Sequence, residues 1–127
     1  MASYRDLVAW KKSMRLALSL YAATDKFPRE EMYGLRQQLR RAAVSVPSNI
    51  AEGQARYSHR EFLRFIGLAR GSLVEAETQI YLARALGYMD RKTAKDLLIA
   101  SEEVGRIING LRESLQKKLQ AKISQDR

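Results

Sequence analysis

The 127-residue chain has no cysteine, a single histidine, two prolines and one tryptophan. Without thiols a disulfide framework, a cysteine-based zinc site and thiol catalysis are excluded, and a reducing cytosol fits. The lone His59 stands between Ser58 and Arg60. No Glu-x-x-His or His-Glu-x-x-His spacing accompanies it to hold a metal, so it reads as an exposed, non-ligating side chain. Phosphate loops, dinucleotide fingerprints and nucleophile–base pairs are missing as well. Glu75 and Glu77 in "RGSLVEAE" lie near a serine, Ser72, but carboxylates on adjacent helical turns are ion-pair partners or partly buried groups before they are catalysts. The sequence therefore predicts no catalytic residue, no metal and no cofactor, and a protein that is not an enzyme.

Long apolar runs are also missing. Nowhere do about 18 apolar residues follow one another, and the opening "MASYRDLVAW" lacks the basic start and unbroken apolar segment of a secretory signal. The expectation is a cytoplasmic protein with no membrane partner. Strand-like alternation, internal repeats, low-complexity tracts and interdomain linkers do not occur, and the length fits one domain with one core. Acidic residues are the minority: 23 Lys+Arg stand against 14 Asp+Glu, a net charge of +9. Such a surface favours polyanions such as RNA, DNA or acidic lipid heads. A charge that only keeps the protein soluble is the alternative.

What is present is helical periodicity. Apolar spacing and end signals predict an all-α chain of four helices over about 6–25, 29–54, 59–86 and 91–121. In the first, Leu7, Trp10, Met14, Leu18 and Tyr21 form the expected core stripe. Pro28 suits the opening turn of the second, with Glu30 and Glu31 complementing the dipole. Ser58 and Glu61 form a capping box for the third, whose stripe is Phe62, Phe65, Ile66, Ala69, Leu73, Ala76, Ile80 and Ala83, and Gly87 ends it. Asp90 caps the fourth, which carries Leu97, Ser101, Val104, Ile108, Leu111, Leu115 and Leu119, with fraying expected from Lys122 onward. Short connections between four helices predict an antiparallel up-down-up-down bundle.

The second helix contains "RRAAVSVPSNIAEG", with a proline in mid-helix. At about 100° per residue, Leu35, Leu39, Ala42, Ala43, Val46, Ile50 and Gly53 stay on one side, so the apolar stripe runs through Pro47 and one kinked helix is preferred. A restart capped by Asn49 and Glu52 is the alternative. On the other side Arg41, Ser45, Ser48 and Glu52 line up. Further apolar rows occur on the first helix (Ala9, Leu16, Leu20, Ala23) and on the third (Leu63, Gly67, Val74, Tyr81). Helices apolar on more than one side are covered by something, and another copy of the chain is the simplest cover. The expected contacts between copies are therefore Leu16, Leu20, Arg41, Ser45, Ser48, Glu52, Leu63, Val74 and Tyr81.

Four stretches, "YRDLVAWKKSM", "YGLRQQLRRAAVSVPSNIAEG", "EFLRFIGLARGSLVEAETQ" and "LGYMD", resemble the bacterial four-helix-bundle family first found encoded inside intervening sequences of the 23S ribosomal RNA gene. The likeness spans residues 4 to 115, and the run from Ser45 to Gly53 is specific to it. The resemblance implies a homopentameric ring and a more distant similarity to the accessory protein of diversity-generating retroelements, a basic pentamer that works on nucleic acid. It carries over no catalytic residue and no established role. It also implies that Ser45, Ser48, Asn49 and Glu52 support the kink or an interface; Ser45 or Ser48 would bond a carbonyl freed by Pro47, and Asn49 would bridge to a neighbouring helix.

Two functions follow as expectations. One is nucleic-acid binding, RNA or DNA, through backbone charge, carried by Lys11, Lys12, Arg15, Arg36, Arg40, Arg60, Arg64, Lys117, Lys118 and Lys122, which cluster at helical spacings. The other is a structural or protein-interaction module with no nucleic-acid role. Groove-reading motifs are absent and aromatic interleaving is weak, so any binding rests on phosphate contacts.

Overall fold

The structure, a computed structural model, describes residues 3–126. Among these residues it is all helical: α1 (Val8–Thr24), α2 (Leu35–Gln54), α3 (His59–Ala85) and α4 (Arg91–Gln125), with 3-10 turns at Tyr4–Asp6 and Arg29–Glu31 and no strand. No described helix is long and apolar enough to cross a membrane. Neighbours along the chain pack together, and α4 closes back onto α1.

The end signals act as their chemistry requires. Ser58 accepts a hydrogen bond from the Glu61 N–H at 3.3 Å, though the Glu61 carboxylate turns to Arg64 and leaves the reciprocal half of the box unmade. Asp90 accepts from the Thr93 N–H at 2.7 Å. Gly87 takes φ +80, and the N–H groups of Gly87 and Tyr88 close on the carbonyls of Arg84 and Ala83, which satisfies the end of α3.

Two boundaries differ from expectation. After Pro28 the chain makes only a 3-10 turn, and α2 begins at Leu35. Glu31 folds its carboxylate onto the Leu35 N–H at 3.0 Å, so it caps α2 from outside instead of lying in its first turn. A Cβ on Gly34 would lie 2.5 Å from that same carboxylate, so the break falls at a glycine. At the other extreme α4 stays helical to Gln125 where fraying was expected from Lys122.

The core stripes of α2, α3 and α4 fall where their periodicity puts them, with Leu39, Val46, Ile50, Ile66, Leu73, Ile80, Val104 and Ile108 all buried. The stripe of α1 is corrected. Leu20 is fully buried and Leu16 is 4% exposed, while Leu18 is 67% exposed and Met14 and Tyr21 also face outward. Leu16 and Leu20 thus belong to the core of the single chain and are not available to a second copy. The reason is size as well as polarity. The buried row interleaves these leucines with small Ala9, Ser13, Ala17 and Thr24, and small residues let helices approach closely. The polar members are satisfied locally, since Ser13 donates to the Trp10 carbonyl and Thr24 to the Leu20 carbonyl.

Pro47 lies buried inside an unbroken α2, so no restart occurs at Asn49. Its missing N–H leaves the Ala43 carbonyl without its usual helical donor. The Asn49 amide donates to the Ser45 carbonyl at 2.8 Å and to the Ser45 hydroxyl at 2.9 Å, and the Ser72 hydroxyl of α3 donates to the same oxygen at 2.9 Å. Asn49 therefore acts within its own helix and does not bridge to a neighbour. Ser45, half-buried, is taken up by this α2–α3 contact within one chain. Leu63 is half-buried and packs against the core of the same chain.

The α2–α3 pair is the most extensive helix contact. A Cβ on Gly53 would come within 2.6 Å of the Phe65 Cβ and 3.1 Å of the Phe62 ring. The glycine ending the Ser45–Gly53 run is thus what lets the two backbones meet. Along this seam Ser45 meets Ser72, and along α3–α4 Glu77 meets Ser101 while Arg70 meets Asn109.

Candidate nucleic-acid interface

The basic residues separate into tied and free. Lys12 of α1 reaches Glu103 of α4 at 2.9 Å and holds that carboxyl below its usual range, chiefly through the hydrogen bond it donates. Arg64 pairs with Glu61 one turn away at 3.1 Å, lowering the Glu61 pKa by the same cause, and lies over the Phe65 ring at 4.5 Å.

Arg36 and Arg40 are bound more tightly into the fold. Arg40 donates to the Thr24 hydroxyl at 2.8 Å, the Tyr21 carbonyl at 3.1 Å and Asp25 at 2.8 Å, and its guanidinium stacks over the Tyr21 ring at 4.5 Å. Arg36 shares the same Asp25 oxygen at 3.4 Å. These two side chains fasten the end of α1 to the start of α2. Beside them Tyr88 donates to Glu31 at 2.8 Å, pinning the α3–α4 connection to the turn before α2.

At the opposite end of α2 the cations are free. Arg60 opens α3, Lys118 and Lys122 lie near the end of α4, and none of the three makes an ion pair among the described residues. Two adjoining depressions bring them together: Tyr57, Ser58 and His59 line both, Arg60 and Lys122 complete one, and Lys118 the other. Residues about sixty positions apart in sequence thus converge on one surface. One acid, Asp126, shares it. Lys117, Lys11 and Arg15 are exposed but lie outside these depressions.

Sequence reasoning missed Tyr57, which is 70% exposed and is the one non-glycine residue with positive φ, +54, among the described residues. The helical pattern gave no stripe position for it, and a backbone conformation leaves no mark on residue spacing.

Of the remaining expected contact residues, Arg41, Ser48, Glu52, Val74 and Tyr81 are exposed. Glu52 pairs with Arg56 at 3.2 Å within α2 and its end. The outward stripe of α1 forms an apolar groove with α2, lined by Trp10, Met14, Leu18, Tyr21, Val44 and Pro47. Exposed apolar side chains on α3 fall into two pairs, Val74 with Tyr81 on one flank of the helix and Leu68 with Leu82 on the other. No group of three or more His, Cys, Asp or Glu side chains suited to a metal occurs among the described residues.

The chain is similar in structure to a protein of unknown function from the S23 ribosomal protein family of Bacteroides thetaiotaomicron VPI-5482, with a TM-score of 0.74 and 19% sequence identity. The match covers 83% of this chain and 98% of that one, and at that identity it concerns the fold alone. No curated protein matches the chain. The profile of the 23S rRNA-intervening sequence protein family matches residues 5–110, through α1, α2, α3 and the first part of α4, and the chain belongs to that family.

Proposed function

We propose that this chain is a non-enzymatic, basic, cytoplasmic protein that assembles into a closed homo-oligomer and binds RNA or DNA through phosphate contacts. The observation that carries the binding is the meeting of Arg60, Lys118 and Lys122 at one cleft, where the single acid among the described lining residues, Asp126, pairs with none of them. A fold gains nothing from gathering like charges, whereas a phosphate chain releases counterions when it meets them. Each chain carries +9, so a ring repeats the cleft around its axis and weak contacts add.

The oligomer is supported by two apolar surfaces, the α1–α2 groove and the exposed Val74–Tyr81 flank of α3, which differ in shape and composition. Unlike faces make head-to-tail contacts, and such contacts close into rings when the rotation permits. Five copies are what the family resemblance implies. Within each copy, the register of the contacts along α2–α3 and α3–α4 favours an antiparallel up-down-up-down bundle, and the buried Pro47 favours a bend in α2.

Gel shifts with RNA and DNA of equal length test the binding. With about six phosphates neutralised, affinity should fall on the order of a thousandfold between roughly 50 and 200 mM salt. No shift at micromolar protein in low salt would leave the alternative, a structural or protein-interaction module. That alternative is favoured by the ion pairs occupying Lys12, Arg36, Arg40 and Arg64. Light scattering that returns 14.5 kDa would remove the oligomer, and an unchanged assembly and stability in Pro47→Ala would remove the bend.

A further inference from the structure

We infer that Tyr57 is a stacking platform for an unpaired base, so that the cleft takes single-stranded nucleic acid in preference to duplex; this rests on the phosphate-binding reading above. Tyr57 sits in the four-residue link between Gln54 and His59, at a backbone conformation that suits glycine or asparagine. A bulky side chain there costs of order 1 kcal/mol or more. Among the described residues the fold draws no side-chain hydrogen bond and no ring contact from it. The side chain is mostly in solvent. Even its backbone N–H makes only a long bond, 3.4 Å to the Gln54 carbonyl.

An aromatic ring kept at a strained position and left in water is accounted for by what it faces. Tyr57 lines both depressions, with Arg60 and Lys122 in one and Lys118 in the other. A planar π-face among unpaired cations is the combination that holds single strands, with bases stacked on the ring and phosphates on the charges. A duplex keeps its bases stacked inside and offers this ring only its sugars and phosphates. The cleft has no set of side-chain amides arranged to read a base edge, so the preference is for strandedness and not for sequence.

Anisotropy titrations with a labelled oligothymidine strand and a duplex of equal length, on wild type, Tyr57→Asn and Tyr57→Phe, test this. Asparagine tolerates the left-handed backbone, so Tyr57→Asn should keep or raise the melting temperature. It should also weaken strand binding about 5- to 150-fold, the equivalent of one base stack, with duplex binding unchanged. Tyr57→Phe should bind as wild type. Binding retained by Tyr57→Asn on both probes, or abolished equally on both, would overturn the platform and leave phosphate binding standing. Absence of binding by wild type to either probe would overturn both. A Tyr57→Asn protein that unfolds, or whose oligomer mass changes, would show that the ring serves the fold or a contact between copies, and the inference would fail.

Discussion

At the start of α2, Arg40 bonds Thr24, the Tyr21 carbonyl and Asp25, while beyond its far end Arg60, Lys118 and Lys122 form no ion pair with any described acid. Both regions look alike as sequence, since each offers basic residues one turn apart on an amphipathic helix. They differ in what the neighbouring element brings. The end of α1 supplies a buried hydroxyl, a last-turn carbonyl and a carboxylate, and these convert arginines into fasteners. The α2–α3 link supplies a tyrosine and a capping serine, and α3 opens on a histidine; these neutralise nothing. Charge counted along a chain therefore measures supply; availability depends on partners contributed from elsewhere.

The sharpest way to break this contrast is to cut the fastener. Arg40→Ala should lower stability by about 1.5–3 kcal/mol, because it removes charge-assisted bonds and leaves the buried Thr24 hydroxyl without its donor. Nucleic-acid affinity measured well below the melting temperature should barely change. If denaturant midpoints hold steady while affinity falls, Arg40 is a ligand contact and the division between the two ends is wrong.

A rigid seam underlies the free end, and Gly53 probes it. In Gly53→Ala the new methyl meets the Phe65 Cβ at 2.6 Å, and the far end of a flexible side chain is not available to yield. Overpacking of this kind costs about 1–3 kcal/mol, offset by up to about 1 kcal/mol of helix propensity. A net destabilisation of about 1–2 kcal/mol is expected in chemical denaturation. A stabilised variant would mean that α2 and α3 do not meet so closely.

Removing the free cations should do the reverse of cutting the fastener. Lys118→Ala with Lys122→Ala should change stability by no more than about 0.5 kcal/mol, since both are exposed and unpaired. The slope of log affinity against log salt should shrink by roughly two units, because each lysine neutralises one phosphate. A large drop in melting temperature with an unaltered slope would assign these lysines to packing.

How legible these differences were in the sequence depends on the kind of information each required. The stripes of α2, α3 and α4 were readable because each helix has one dominant apolar side, and Ser58, Gly87 and Asp90 marked the ends through local hydrogen bonds. In α1 two apolar rows compete, and periodicity cannot rank them. The row with small Ala9, Ser13 and Ala17 won because it permits close packing, a property of the neighbouring helices. The start of α2 depended on Glu31 and Tyr88, fifty-seven positions apart, and the free cleft on residues from α3 and α4. Neither pairing leaves a trace in local spacing. Family membership was legible from the resemblance of four stretches, the Ser45–Gly53 run being the most specific of them; the close approach of two backbones at Gly53 was not.

The smallest expected effect concerns pH and again separates the ends. The N–H of Leu35, and secondarily the hydroxyl of Tyr88, hold the Glu31 carboxyl below its ordinary value, while the same bond raises the Tyr88 phenol above its own. A lowered carboxyl contributes stability that is present above the unfolded pKa and lost as pH falls through the folded one. A raised phenol contributes stability that is full below its unfolded pKa and lost as pH rises through the folded one. Glu31 is therefore expected to erode stability on the acid side, below the usual glutamate range, and Tyr88 on the alkaline side, above the usual tyrosine range. Glu31→Gln should flatten the acid limb of a melting-temperature profile and Tyr88→Phe the alkaline limb, each without moving nucleic-acid affinity at neutral pH. An alkaline limb unchanged in Tyr88→Phe would mean that its bond to Glu31 does not fasten that end, and the contrast between a fastened end and a free one would fail with it.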